Sequence, residues 1–388
     1  MQLGLSFVAG LIATSALVFA APAPGVSEAI EIPLEKRSSL LHADSNVIDF
    51  QKVAAHVTSL RNKYQGTLNN FKVNTGAEHP LRRELPEELK KRATGTVALT
   101  DESEQLWHGN VVFGGQTIPI DFDTGSADLV VNRDAYTPGS SSTNTGRAWT
   151  AAYGDGTTAR GTVYTDSFSI AGISASKVAI GRATTNFLTD ANNQGIAGMS
   201  FPALSQFGSQ YPPFFDSLIN QKKVDQSVFT FTLKAGSGST LFLGGVSGGS
   251  PSYSNVDTSN GFWQIPGRVN GISFESIQDT GTTVIVAPNS DAANLCNNVG
   301  GSTFTQDGST YCAYTCSRPP KVSFTFGSFT KALSSATTSF GQTNDGRCVL
   351  SVIGGDVGVN AWVTGDSWLQ NVRATFNRST RQVGFTSQ

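Results

Sequence analysis

At 388 residues the chain is longer than one ordinary domain and fits two lobes with additional segments. Only 14% of residues are charged and 10% are aromatic, while Gly, Ser and Thr abound; this excludes a disordered polyelectrolyte and favours a turn-rich β protein. The chain beyond Arg92 carries 16 Lys/Arg and 20 Asp/Glu, and this net charge of −4 argues against nucleic acid or other anionic partners.

Residues 1–20, MQLGLSFVAGLIATSALVFA, form one apolar run, and Val18 and Ala20 fit the small-residue rule for cleavage after Ala20. No basic stop-transfer cluster comes after it, so the run reads as a signal peptide and not as a membrane anchor. The final residues, RQVGFTSQ, carry no hydrophobic stretch suited to a lipid anchor. The expected product is secreted and extracellular, with the vacuole as the alternative address.

Residues 21–92 have a different texture, with eleven Lys/Arg, nine Asp/Glu and three of the four histidines. Val47, Phe50, Val53, Val57 and Leu60 recur at helical spacing, with Asp44 or Ser45 as the expected N-cap. The segment closes on Lys90-Lys91-Arg92, a basic run suited to a processing protease. Signal peptide, basic helix and basic stop together predict a removable prosegment. The chain beyond Arg92 is acidic overall and keeps His108 as its one histidine.

From Ala93 the pattern turns to short alternating strands separated by Gly/Ser/Thr turns, as in VVFGGQTIPIDF, GTVYTDSFSIAGIS, VFTFTLKAGSGSTLFLGG, KVSFTFG and QVGFTS. Helical signals are confined to FFDSLINQ near 214–221 and NSDAANLCNNVG near 289–300. The class is mostly β. Four cysteines, Cys296, Cys312, Cys316 and Cys348, lie in the last third, and in an exported chain they imply two disulfides. Zinc is the rival reading, but no histidine comes after the Cys312–Cys316 spacing.

One repeat organises the chain. IDFDTGSADLV at 120–130 and ESIQDTGTTVIV at 275–286 each run from an apolar strand through Asp-Thr-Gly to Ser or Thr and a second apolar run. Asp123 and Asp279 lie 156 positions apart, which predicts two homologous lobes, 93–247 and 248–388, each giving one loop to a shared site. Gly125 and Gly281 let each loop turn sharply, so the Asp projects at its tip. Ser126 and Thr282 are placed to donate to the carboxylates, and Thr124 and Thr280 to reach across and lock the loops. Two carboxylates held about 3 Å apart cannot both ionise and share a proton. One then serves as general base on a bound water while the other, protonated, polarises a carbonyl. Asp121 precedes Asp123 by two residues, but its counterpart in the second copy is Ile277, so the repeat selects Asp123.

Two other chemistries compete. A Ser-His-Asp or Cys-His enzyme needs a base, and His108, in LWHGNVV, comes without a G-x-S-x-G elbow. It reads as a strand-packing or surface residue. Glycosidases also use two carboxylates, but the duplicated DTG[ST] favours the shared-proton pair.

These motifs resemble those of the pepsin-like aspartic proteases of the secreted fungal kind, from about residue 32 to the C-terminus. The resemblance implies a bilobal pepsin-like fold of two homologous six-stranded-barrel-type lobes with the active-site cleft between them. It implies an acid endopeptidase with Asp123 and Asp279 as catalytic pair; their proton sharing is established behaviour of that family. TAAYGDGT resembles the flap hairpin, making Tyr153, Gly154 and Asp155 flap and substrate-binding residues. GIAG (Gly195–Gly198) and WVTG (Trp362–Gly365), with Asp366 next, resemble the segments that support the two loops, and FNRSTRQVGF resembles the closing hairpin. IPLEKRSSL resembles the opening prosegment strand, and Lys63-Tyr64 the pair whose ammonium lies between the catalytic carboxylates in zymogens. Cys316 and Cys348 resemble the family's C-terminal-lobe disulfide, which implies Cys296–Cys312 as a less typical second bridge. Phe187 and Ile196 resemble apolar walls of the pocket before the scissile bond, implying preference for bulky apolar residues around the cut. Asp155 implies acceptance of Lys before the bond; its alternative is a turn-forming Asp before Gly. Partners implied are protein or peptide substrates and pepstatin-type inhibitors, acting on a monomer without cofactor, metal, membrane or nucleic acid. Asn377-Arg378-Ser379 is a glycosylation sequon.

The chain departs from the family in three places. Val130 stands where a Trp usually partners the flap tyrosine, Gln194 stands where an Asp commonly precedes the first supporting segment, and the stretch between the two aspartates is short. The second reading, from another class, is a catalytically inactive pepsin-like binding or inhibitor protein.

Overall fold

Alternating apolar residues bury one face of the hairpin Trp107–Phe113 and Gln116–Asp123, with Val111, Phe113, Ile118, Ile120 and Phe122 in the core. Gly114 and Gly115 both take positive φ (55° and 79°), the backbone a two-residue turn needs to match the strand twist. The computed structural model describes residues 30–388 apart from 37–39, 44, 86–106, 153–157, 189–192 and 236. The expected signal peptide, Lys90-Lys91-Arg92, Tyr153, Gly154 and Asp155 lie outside the described residues.

The strand ending in Asp123 runs parallel to Gly195–Gly198, pairing Asp121 with Ile196 and Asp123 with Gly198. Gly195–Gly198 pairs antiparallel with Leu129–Val131, the apolar run after the loop. The second half repeats this plan. Ile272–Gln278 runs parallel to Trp362–Thr364, which pairs antiparallel with Ile285–Ala287. Each Asp-Thr-Gly loop therefore leaves one strand, re-enters the sheet two strands away, and is closed from behind by the strand between.

The two copies sit in different sheets, one of 13 strands and one of 11. The Asp123 sheet also recruits the C-terminal hairpin Val372–Asn377 and Gln382–Ser387, which pairs with Val228–Thr232. The halves are joined behind the loops: Trp263 Nε1 donates to Met199 O at 3.0 Å, and Ser200 Oγ to Gly261 O at 2.8 Å. Arg378, buried beside Asp216, lies 4.2 Å from the Phe201 ring centroid and 5.3 Å from that of Trp263.

Strand Ile30–Lys36 lies in the same sheet between Ser239–Leu243 and Trp107–Phe113. A long helix, α1 (Phe50–Thr75), comes next and buries Val53, Val57, Leu60, Tyr64, Leu68 and Phe71. Its start corrects the sequence expectation of Asp44 or Ser45. Asp49 is the N-cap, accepting from Gln51 N at 3.1 Å and Lys52 N at 3.2 Å. The Ser45 hydroxyl is spent on a local turn with Val47 N, and Val47 lies before the helix, bridged to Gln342. The helices expected near 214–221 and 289–300 span Phe214–Asn220 and Asn289–Asn298. Single turns form at Ser335–Thr338 and Asp366–Leu369.

Disulfides join Cys296 to Cys312 and Cys316 to Cys348. Among the described residues, no helix is long and apolar enough to cross a membrane.

Candidate active site

The two Asp-Thr-Gly loops meet tip to tip with near two-fold symmetry. Gly125 N donates to Asp123 Oδ1 at 2.8 Å and Ser126 Oγ to Asp123 Oδ2 at 2.5 Å. On the other side Gly281 N donates to Asp279 Oδ1 at 2.9 Å and Thr282 Oγ1 to Asp279 Oδ2 at 2.8 Å. Each Thr of the two motifs reaches across. Thr124 N and Thr280 N each donate to the other's hydroxyl at 3.0 Å, while the hydroxyls donate onward to Gln278 O at 2.8 Å and Phe122 O at 2.7 Å. Each hydroxyl thus both accepts and donates, which fixes the loops to one another in a buried, fully bonded network. Both glycines are needed for contact: a Cβ on Gly125 would lie 2.5 Å from the Asp279 carboxyl, and one on Gly281 would collide with Asp123.

Helix α1 crosses this site. Lys63 Nζ donates to Asp123 Oδ1 at 2.7 Å and to both Asp279 oxygens at 3.0 Å, and Tyr64 OH donates to Asp279 Oδ2 at 2.9 Å. Burial pushes the Asp123 carboxyl up to about 6, with Asp279 adding to the rise and Lys63 opposing it. Burial acts on Asp279 the same way, but Lys63, Asp123 and the Thr282 hydroxyl outweigh it and hold that carboxyl at about 2. Lys63 itself is destabilised as a cation by burial, and the two carboxylates reverse this and hold it above its ordinary value.

Two residues that sequence reasoning passes over belong to this region. His56, on the same helix, is buried and neither ring nitrogen finds a hydrogen bond among the described residues. Burial, reinforced by Lys63, lowers it to about 4 against a weaker opposing pull from Asp279. Asp128 accepts from Ser205 Oγ at 2.5 Å and Gln206 N at 3.0 Å, and burial raises it to about 6. Helical period could place His56 on α1, but nothing local signals its lack of partners.

A cavity of about 140 Å³ remains between α1 and the Asp123 half, lined by Lys63, Asp123, Asp128, Val130, Thr150 and Ile196 among others. Ile196 therefore faces the site, whereas Phe187 packs behind it against Trp149, ring centroids 6.2 Å apart. Val130 joins the same cluster as Trp149, Phe187 and Phe207. Trp149, on strand Thr143–Ala152, brings an indole to this cluster. Asp121 is buried and accepts from the Asn193 amide, and His108 is buried in its strand opposite Asp121. The Gln194 side-chain carbonyl accepts from Asn132 Nδ2 at 3.1 Å. Asn377 is half-buried at a hairpin end, its side-chain oxygen taken by Ser379 Oγ and Thr380 N.

Residues 108–388 match the family described as eukaryotic aspartyl protease. The chain belongs to that family. Secreted aspartyl protease 1 of Malassezia globosa is 42% identical over 99% of both chains. Penicillopepsin-1 of Penicillium janthinellum is 28% identical over 76% of this chain and 98% of its own. The crystal structure of the aspartic proteinase from Irpex lacteus superposes with a TM-score of 0.63 at 19% identity, covering 73% of this chain and 94% of that one. As a eukaryotic aspartyl protease the chain is an aspartic endopeptidase with the pepsin-like fold, and its substrates are proteins or peptides. The family match begins at His108, so α1 lies outside it, while the Malassezia relative extends across nearly the whole chain.

Proposed function

We propose that the protein is a secreted acid endopeptidase made as a zymogen, with residues 1–20 as signal peptide and 21–92 as prosegment. The mature enzyme then comprises lobes 93–247 and 248–388, acts as a monomer, and uses Asp123 and Asp279 as its catalytic pair. The observation that carries this reading is the single ammonium of Lys63 bonded to both carboxylates. A cation there favours double ionisation and blocks the place a water would take. Once it leaves, the buried pair retains one proton; one carboxylate draws a proton from a bound water and the other polarises the peptide carbonyl. Thr124, Gly125, Ser126, Thr280, Gly281 and Thr282 hold the pair in place. Tyr153 and Gly154 belong to the covering flap, and Ile196, with Phe187 packed behind it, to the apolar pocket that favours bulky residues beside the cut.

Secretion is supported by the similarity to secreted aspartyl protease 1 of Malassezia globosa. The test is direct: secreted protein should convert to a form starting near Ala93 and degrade a denatured protein at about pH 3–5, with pepstatin blocking it. Neutral-pH activity insensitive to pepstatin contradicts the reading. Asp155 pairs with a Lys side chain before the cut bond, so Asp155→Ser should lower cleavage after Lys while sparing cleavage after Phe. Equal loss on both peptides removes that role. Glycan at Asn377 is expected on the secreted form and is read by a mass shift on deglycosylation.

A further inference from the structure

Asn70 and Asn74 lie on the same face of α1 as Lys63, two and three turns further along. Their side-chain amides hold a row of main-chain carbonyls on the Asp123 half. Asn70 Nδ2 donates to Leu204 O at 3.1 Å, and Asn74 Nδ2 to Ala203 O at 3.0 Å and Ser205 O at 2.6 Å. Leu204 and Gln206 line the same cavity as Asp123, with Asp128 beside them. The Asp128 carboxyl already accepts from Ser205 Oγ and Gln206 N. This wall therefore offers a row of uncharged acceptors, and the helix that fills the cleft meets them with amides and not with cations.

We propose that, after α1 departs, the carbonyl row Ala203–Ser205 is a substrate subsite that selects a side-chain amide, Asn or Gln, about three residues from the cut bond. The helix sets the distance. It rises ~1.5 Å per residue, so Asn70 lies ~10 Å along from the ammonium that marks the pair; extended peptide covers that in ~3 residues. The proposal rests on reading residues 21–92 as a removable prosegment.

Matched peptides that share one scissile bond, with Gln or its near-isostere Met three residues to either side, test this on the processed enzyme. The net worth of one hydrogen bond predicts ~3–10-fold higher kcat/KM for Gln on one side of the bond, expressed in KM. Equal or lower values for Gln on both sides, with the Met peptides still cut, overturn the subsite alone. If the full-length chain keeps residues 21–92 in acid, the prosegment reading falls and the subsite with it. In the full-length chain, Asn70→Leu combined with Asn74→Leu should speed acid conversion ~10-fold or more, since two donors to the row are lost. An unchanged rate counts against the row as a binding element.

Discussion

Lys63→Met in the full-length chain is expected to open the cleft to a pepstatin-type inhibitor at pH 6, raising its affinity ~100-fold or more over the unaltered chain. The ammonium makes three charge-assisted bonds to the two carboxylates in a buried setting. Removing one partner of such a group typically costs ~3–5 kcal/mol, because the remaining charges are left without a counterion. Part of that loss is recovered when the pair takes up a proton, which sets the expectation toward the lower end. Tyr64 keeps its bond to Asp279 in the variant, so α1 retains one anchor. Equal inhibitor affinity for variant and parent would place the inhibition elsewhere on the helix.

His56→Leu should make release of the proposed prosegment less sensitive to acid. The imidazole is buried without a hydrogen bond and lowered to about 4, while a released, solvated prosegment returns it to about 6.5. The docked form therefore binds fewer protons than the released form. Docking has the full benefit of a neutral His56 above pH 6.5, loses it as pH falls toward 4, and changes no further below. Lys63 on the same helix and Asp279 on the facing loop are the charged groups that act on it, and they oppose one another. At pH 5 this gap alone favours release by ~20-fold relative to pH 7. The variant should thus convert more slowly at pH 5 by a factor of that order, while its processed form cuts peptides at the parent rate. Identical conversion profiles between pH 4 and 7 would falsify the role of His56.

The proposed pair, Asp123 and Asp279, is legible in the sequence because its motif is written twice. Asp-Thr-Gly followed by Ser or Thr recurs in two apolar settings, and the hydroxyl that bonds each Asp is local, three residues on. Strands are legible for the same reason: alternation in VVFGGQTIPIDF is a short-range signal. The start of α1 is misplaced from sequence because Asp44, Ser45 and Asp49 are all acceptable caps. Which one folds back onto the first turn depends on the strand bridge that takes Val47 to Gln342. Contacts that join distant parts of the chain leave no local trace. Asn70 and Asn74 meet carbonyls about 130 positions away, and nothing in either stretch names the other. Val130 packs in one buried cluster with Trp149, Phe187 and Phe207, and the structure gives no reason for the departure at 130.

Two carboxylates, one from each loop, are proposed to perform the hydrolysis together. The most direct measurement is kcat/KM on one peptide in acid for Asp123→Asn and Asp279→Asn, with residues 21–92 removed by an added protease. Each asparagine preserves the shape and the bonds from Gly125 or Gly281 while withdrawing a titrating oxygen. Either substitution should lower it ~10³-fold or more, with the fold intact by circular dichroism. Activity within tenfold of the parent in either variant would contradict the shared-carboxylate mechanism.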